Sequence, residues 1–266
     1  MFITFLSDFG LQDDFVGTCH GVMKRIAPEA QIIDITHGIP PQSVLQGALV
    51  LANTVGYMPV GVHLAVVDPG VGGPRRPLAL RDREGRHFVG PDNGLLLPAA
   101  RRAGIEAAHE LANPAYALES ISRTFHGRDL FSPAAAHLAT GVTLAELGPP
   151  VDPDGLVALD LPAPSLEHGV AVATMIYVDS FGNIALNLTR EDVGHLGIVP
   201  GTRLELDVVG DRYYAIAART FADAQPGDVI LYEDSYRNMS IAISRGNAGR
   251  ILHARLGSHV RITPLV

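Results

Sequence analysis

Residues 2–36 read FITFLSDFGLQDDFVGTCHGVMKRIAPEAQIIDIT, and this stretch decides the architecture. FITFLS (2–7) is a short apolar run of strand length. Residues 15–27 carry a helical pattern, and QIIDIT (31–36) is a second strand-like run. A strand, a helix and a strand of these lengths make the unit that lays two parallel strands side by side. The alternation continues. Residues 42–56 predict a helix with Val44, Leu45, Ala48, Leu51, Ala52 and Val55 along one side. VHLAVVD (62–68) is a third strand, LALRDREGRHFVG (78–90) a hairpin, and 94–103 a further helix. An α/β sandwich with a mostly parallel sheet is therefore expected over residues 1–148.

The texture then changes. Pro149, Pro150, Pro153, Pro162 and Pro164 mark a linker over 149–165. Beyond it stand GVAVATMIYVD, IALNL, RLELDVV, YYAIAA, DVILYE, MSIAIS and HVRITPLV, each short, rich in β-branched residues and bounded by Gly, Asn, Asp or Pro. Residues 166–266 are expected to form a smaller all-β domain, a barrel or a sandwich.

Composition narrows the function. The chain has 266 residues, 47% of them hydrophobic and 18% charged, which suits packed cores rather than disorder. Its formal charge is −8 and it has no Lys/Arg-rich run, so a nucleic-acid partner is not expected. Cys19 is the single cysteine, which excludes an intrachain disulfide framework and a cysteine-rich zinc site. MFITFLSDFG lacks the basic start of a signal peptide, and no apolar run approaches the roughly 18 to 20 residues needed to span a bilayer. A cytoplasmic address without a membrane partner is expected.

Chemistry concentrates where strands end. Ser7-Asp8-Phe9-Gly10 closes the first strand and Asp68-Pro69-Gly70 the third, the edge at which parallel sheets bind ligands. A carboxylate there suits ribose hydroxyls, and each aspartate equally suits a turn or helix cap. DPGVGGPRR (68–76) is glycine-rich but fits neither a dinucleotide nor a P-loop pattern. Asp8, Asp68 and Asp92 have the chemistry to hold a hard cation together, but no His-x-His or His-x-x-Glu pairing supports a transition metal, so no metal is expected. His126 sits in the polar loop TFHGRD (124–129) and is the natural base near neutral pH. In YVDSFGN (177–183), Phe181 suits stacking on a base, while Asp179 and Asn183 suit an amino acid's charged groups. A plain turn with Gly-Asn at its tip fits the same residues.

SDFG, VVDPGVGxxR, GPDNG, TFHGRD, VDSFGN and SYRN…GNA, in this order and across nearly the whole chain, resemble the S-adenosyl-L-methionine (SAM) hydrolase family, also called SAM hydroxide adenosyltransferases. The SAM-dependent fluorinase and chlorinase are its relatives. The resemblance implies an N-terminal α/β domain joined to a C-terminal β-barrel. It implies hydrolysis of SAM to adenosine and L-methionine without a cofactor, in a homotrimer whose sites lie between subunits. It makes Asp68, Arg75 and His126 the catalytic set that marks water-using members, with the proton acceptor left open. It makes Asp8 the ribose ligand, places Phe125 and Phe181 beside the substrate, and gives Asp179 and Asn183 to the methionine moiety. Ser235, Tyr236, Asn247 and Ala248 fall in segments that contact methionine and adenine. His126 and Gly127 stand where the fluorinase has tyrosine and serine, which favours water over halide. A halogenase, a non-catalytic SAM or adenosine sensor, and a metal-dependent phosphoesterase built on Asp8, Asp68 and Asp92 are the rival readings.

Overall fold

A computed structural model describes residues 1–161 and 163–265; Pro162 of the expected linker and Val266 at the chain's end lie outside the described residues. The chain forms two compact units, Met1–Leu159 and Asp160–Val266, so the division falls inside the proline-rich stretch.

The first unit runs β1 (Phe2–Ser7), α1 (Phe15–Ile26), β2 (Gln31–Thr36), α2 (Val44–Val55), β3 (Val62–Val66), β4 (Pro77–Asp82), β5 (His87–Pro91), α3 (Leu97–Arg101), β6 (Ile105–Glu110) and α4 (Ser132–Ala139). Its six strands lie in the order β2-β1-β3-β5-β4-β6. β1 pairs in parallel with β2 and β3, and β3 with β5, while β4 runs antiparallel to β5 and β6. The sheet is thus mostly parallel, as expected. Successive residues face opposite layers. Ile3, Phe5, Leu64 and Val66 pack with α1 and α4. Leu6, Ala65 and Val67 pack with α2 and α3.

The helix expected over 94–103 is shorter, Leu97–Arg101. Pro98 sets its first turn because proline has no N–H to give an earlier residue, and Gly94, at φ +93, holds the preceding turn in a conformation only glycine adopts without strain. Ahead of α4 the chain forms a wide π-turn over Gly127–Phe131. Ser132 donates both its backbone N–H and its hydroxyl (2.7 Å) to the Gly127 carbonyl, stabilising that turn.

His63 of β3 is wholly buried, with Nδ1 at 2.8 Å from the Thr4 hydroxyl and Nε2 without a hydrogen-bond partner. Burial, then the positive charge of Arg86, pushes its pKa from 6.5 to about 4. Between those values the unfolded chain takes a proton that the folded chain refuses. Stability therefore falls as pH drops from about 6.5 to about 4, by about 3 kcal/mol for this group. Urea unfolding at pH 7 and pH 4.5 is expected to show that loss, and His63→Gln to reduce it. His37, His87 and His137, also lowered by burial, leave a residual slope of the same sign. An unchanged pH dependence in His63→Gln would contradict this assignment.

The second unit runs β7 (Ser165–Glu167), β8 (Val170–Val178), β9 (Ile184–Thr189), β10 (Arg203–Val208), β11 (Asp211–Ala217), β12 (Val229–Glu233), β13 (Asn238–Ile243) and β14 (His259–Pro264). The order β14-β10-β11-β12-β13-β9-β8 closes through a β8–β14 pairing, which makes a seven-stranded barrel with β7 laid on β8. Closure leaves no open edge among those strands and encloses Leu186, Leu188, Leu204, Leu206, Leu231 and Ile241 in one core. Among the described residues, no helix is long and apolar enough to cross a membrane.

Candidate active site

Asp68 and Arg75 bracket the tight loop that follows β3, and His126 lies just ahead of the π-turn. The fold brings all three together. Arg75 Nε donates to both Asp68 oxygens at 3.1 and 3.0 Å, and its Nη2 donates to Oδ2 at 2.5 Å. The same Nη2 lies 2.8 Å from His126 Nδ1. Both members of the ion pair are largely shielded, with side chains 10% and 6% exposed, and Arg75 lies over the buried Phe131 ring at 5.1 Å. A guanidinium can only donate, so His126 Nδ1 must accept. The neutral imidazole consequently carries its proton on Nε2. Desolvation, then the adjacent Arg75 charge, lowers the His126 pKa below the usual histidine value, which keeps that neutral form at pH 7.

The loops meet because Gly72 has no side chain. Its φ is +75, and an added Cβ would stand 2.4 Å from the Arg123 carbonyl oxygen. The His126 loop is pinned from behind by Asp129, which is wholly buried. Its carboxylate accepts the Ser122 N–H at 2.7 Å and Arg128 Nε at 2.6 Å. Sequence reasoning missed this role; the only signal was an acidic residue next to an arginine in TFHGRD.

Arg76 serves another partner. Its Nε donates to Asp92 Oδ2 at 2.9 Å and its Nη2 to the Gly155 carbonyl at 2.8 Å, while Asp92 Oδ1 accepts the Val157 N–H at 2.9 Å. Asp92 therefore anchors residues 155–157, and its lone pairs are engaged there rather than offered to a cation shared with Asp68. Asp8 Oδ2 accepts the Gln42 N–H at 2.8 Å, which orients the carboxylate after β1. Phe125 belongs to an edge-on ring cluster with Phe9 and Phe15, with Arg128 over its face at 4.9 Å. Phe9, Phe15, Ser122, Thr124, Phe125 and Arg128 line a cleft of about 450 Å³.

In the barrel unit, Asp179 Oδ1 accepts the Phe181 and Asn183 N–H groups at 2.9 and 2.8 Å, and Oδ2 accepts Asn183 Nδ2 at 2.7 Å. The segment is a turn closed from Asp179 to Gly182, so Ser180 and Phe181 rather than Gly-Asn stand at its tip, and Phe181 is 77% exposed there. Asn247 crosses the same turn: an added Cβ on Gly182 would stand 2.2 Å from its Cγ. Asn247 also caps the short helix Ala248–Ile251 by accepting the Arg250 N–H at 2.8 Å, and Ala248 is buried beneath it. Ser235 and Tyr236 lie on the β12–β13 turn, which Asp234 organises by accepting the Tyr236 and Asn238 N–H groups at 2.8 and 3.0 Å. By strand register that turn lies at the opposite end of β13 from Asn247. Burial, then Asp179 and Asp234, pushes the buried Tyr232 hydroxyl up to about 12.

The chain is thus an α/β unit bearing a carboxylate–guanidinium–imidazole set, followed by a closed barrel. Residues 3–148 match the SAM hydroxide adenosyltransferase N-terminal domain and residues 173–261 match its C-terminal domain, so the chain belongs to that family. It is 45% identical over 262 residues to the (R)-S-adenosyl-L-methionine hydrolase of Salinispora arenicola, covering 98% of this chain and 97% of that one. It is 37% identical over 270 residues to the protein of the same name from Thermus thermophilus, at 98% of both chains. A fluorinase from an Actinoplanes species is more distant, at 30% over 288 residues and 98% and 97% coverage. Among solved structures, an uncharacterized conserved protein from Thermotoga maritima aligns with TM-score 0.90 and 33% identity over 98% of this chain and 99% of that one.

Proposed function

We propose that this chain hydrolyses SAM to adenosine and L-methionine by attack of water on the ribose C5′. The observation that carries the reading is the continuous hydrogen-bonded set Asp68–Arg75–His126. Methionine leaves as a neutral thioether, so the leaving group needs no general acid. What remains is to hold a water in line with the C5′–S bond and to take its proton. Overall, the SAM cation and water become adenosine, methionine and one proton.

In its neutral form, His126 has no free lone pair on Nε2. It serves as a donor that fixes the water oxygen, and Asp68, the one anion of the set, accepts the proton and passes it to solvent. Arg75 holds both partners at once and stabilises developing hydroxide character. Asp8 suits the ribose hydroxyls, and Phe125 lines the cleft together with Phe9, Phe15 and Arg128. Phe181, with Asp179, Asn183, Asn247 and Ala248 at one end of the barrel, and Tyr236, with Ser235 at the other, are two separate surfaces, each with an exposed aromatic ring suited to a substrate bound against a neighbouring subunit. Those exposed faces support a homotrimer in which neighbouring subunits complete each site. The lone cysteine, buried and unpaired, accords with a cytoplasmic address.

Incubating the purified chain with SAM, alone and with excess chloride or fluoride, tests the reaction class. Adenosine and methionine are expected in every arm. A 5′-halogenated deoxyadenosine would move the assignment to the halogenases, and SAM bound but unconsumed would make the protein a sensor.

A further inference from the structure

His20 on α1 and Asp34 and His37 on and just beyond β2 converge although nothing in their sequence spacing announces it. Their ligating atoms all lie within 4.8 Å of one another, the one such cluster among the described residues. His20 Nε2 is 2.9 Å from Asp34 Oδ1, and His37 Nε2 is 3.2 Å from the same oxygen. The His37 side chain is only 2% exposed, yet its Nε2 makes no aligned hydrogen bond: the carboxylate is near, but off the N–H direction.

We propose that His20, Asp34 and His37 form a binding site for one divalent transition-metal ion of the zinc, cobalt and nickel class. Two imidazole nitrogens and one carboxylate oxygen are the donor set such ions take, and the exposed sides of His20 and Asp34 leave a coordination position for water. Ligand atoms about 2.1 Å from a tetrahedral ion stand about 3.3 to 3.4 Å apart. The two imidazole–carboxylate separations, 2.9 and 3.2 Å, need to open by only a few tenths of an ångström to reach that, and the two imidazole nitrogens stand within 4.8 Å of each other.

The surroundings are arranged as metal sites require. His37 Nδ1 is held by the Ser7 hydroxyl at 2.7 Å, an outer partner that fixes the ring and can leave Nε2 as the ligating nitrogen. The buried Phe5 ring flanks both imidazoles, at 4.6 Å from His37 and 6.0 Å from His20, and forms an apolar wall. The His37 carbonyl accepts the Gly10 N–H at 2.8 Å. An ion at His37 thus tethers the Ser7–Gly10 loop that carries Asp8, through two bonds to that loop. The site is separate from Asp68, Arg75 and His126, and the proposal stands whether or not the chain cleaves SAM.

The test is cobalt(II) titration of the full chain after chelator treatment, read by visible absorption and by equilibrium dialysis. One cobalt ion per chain is expected, with the visible band of an imidazole–carboxylate site. His20→Gln and Asp34→Asn, both at partly exposed positions, are expected to weaken binding about tenfold or more while circular dichroism stays unchanged. Asp68→Asn is expected to bind cobalt normally. No retained cobalt, or retention unaffected by both substitutions, would overturn the site.

Discussion

Asp68→Asn is expected to lower kcat by about 10² to 10⁴ while the Kd for SAM changes only a few-fold. The substitution keeps the shape of the side chain and one oxygen that can still accept from Arg75. It removes the only anion in the set, and with it the acceptor for the water's proton. Arg75→Lys is expected to fall comparably. One ammonium cannot reproduce a planar fork that meets two carboxylate oxygens and an imidazole together. His126→Gln is expected to lose less than Asp68→Asn, because a glutamine oxygen can still accept from Arg75. The opposite ranking would return the role of base to His126. The pH profile gives a second reading. Protonating His126 sets an N–H against the Arg75 N–H, so activity is lost as pH falls through the His126 pKa. Burial and Arg75 hold that value below 6.5, so the acid limb is expected below pH 6.5, with a plateau above it. His126→Gln is expected to remove that limb, and steady-state kinetics from pH 5 to 8 check it.

Gly72→Ala is expected to cut kcat by about a hundredfold or more without touching a group that does chemistry. The added methyl meets the Arg123 carbonyl oxygen at 2.4 Å, a backbone atom that cannot swing away, and the φ of +75 adds strain. The loop bearing Asp68 and Arg75 must then part from the loop bearing His126. A displacement on the order of 1 Å at a reacting centre is enough for such a loss. Gly85→Ala is the control. That hairpin glycine has a similar φ of +83 but open space around its Cα, so its variant is expected to retain activity. Equal activity in both variants would show that loop contact does not set the geometry.

The parts of this fold that sequence made legible follow from periodicity. The strand–helix–strand order of 2–36 appears as β1, α1 and β2 in parallel register, and the seven short β-branched runs appear as the seven strands of the barrel. The convergence of Asp68, Arg75 and His126 was legible only through the ordered family motifs, because 51 residues separate Arg75 from His126 in the chain. Other features depend on tertiary contact and leave no local pattern. Nothing in GPDNG distinguishes Asp92, spent on Arg76 and Val157, from a ligand-binding aspartate. Asp129 is informative only once Ser122 is seen donating to it. The π-turn before α4 relies on a Ser132 hydroxyl bond that helical periodicity does not encode. His20 joins Asp34 and His37 because α1 packs on the Phe5 face of the sheet, a placement that no count of residues reveals.

Hydrolysis of SAM in water enriched in ¹⁸O, with mass analysis of both products, tests the central claim most directly. Attack at C5′ places the heavy oxygen in the 5′-hydroxyl of adenosine and leaves methionine unlabelled. Unlabelled adenosine, or methylthioadenosine as the nucleoside product, would contradict it.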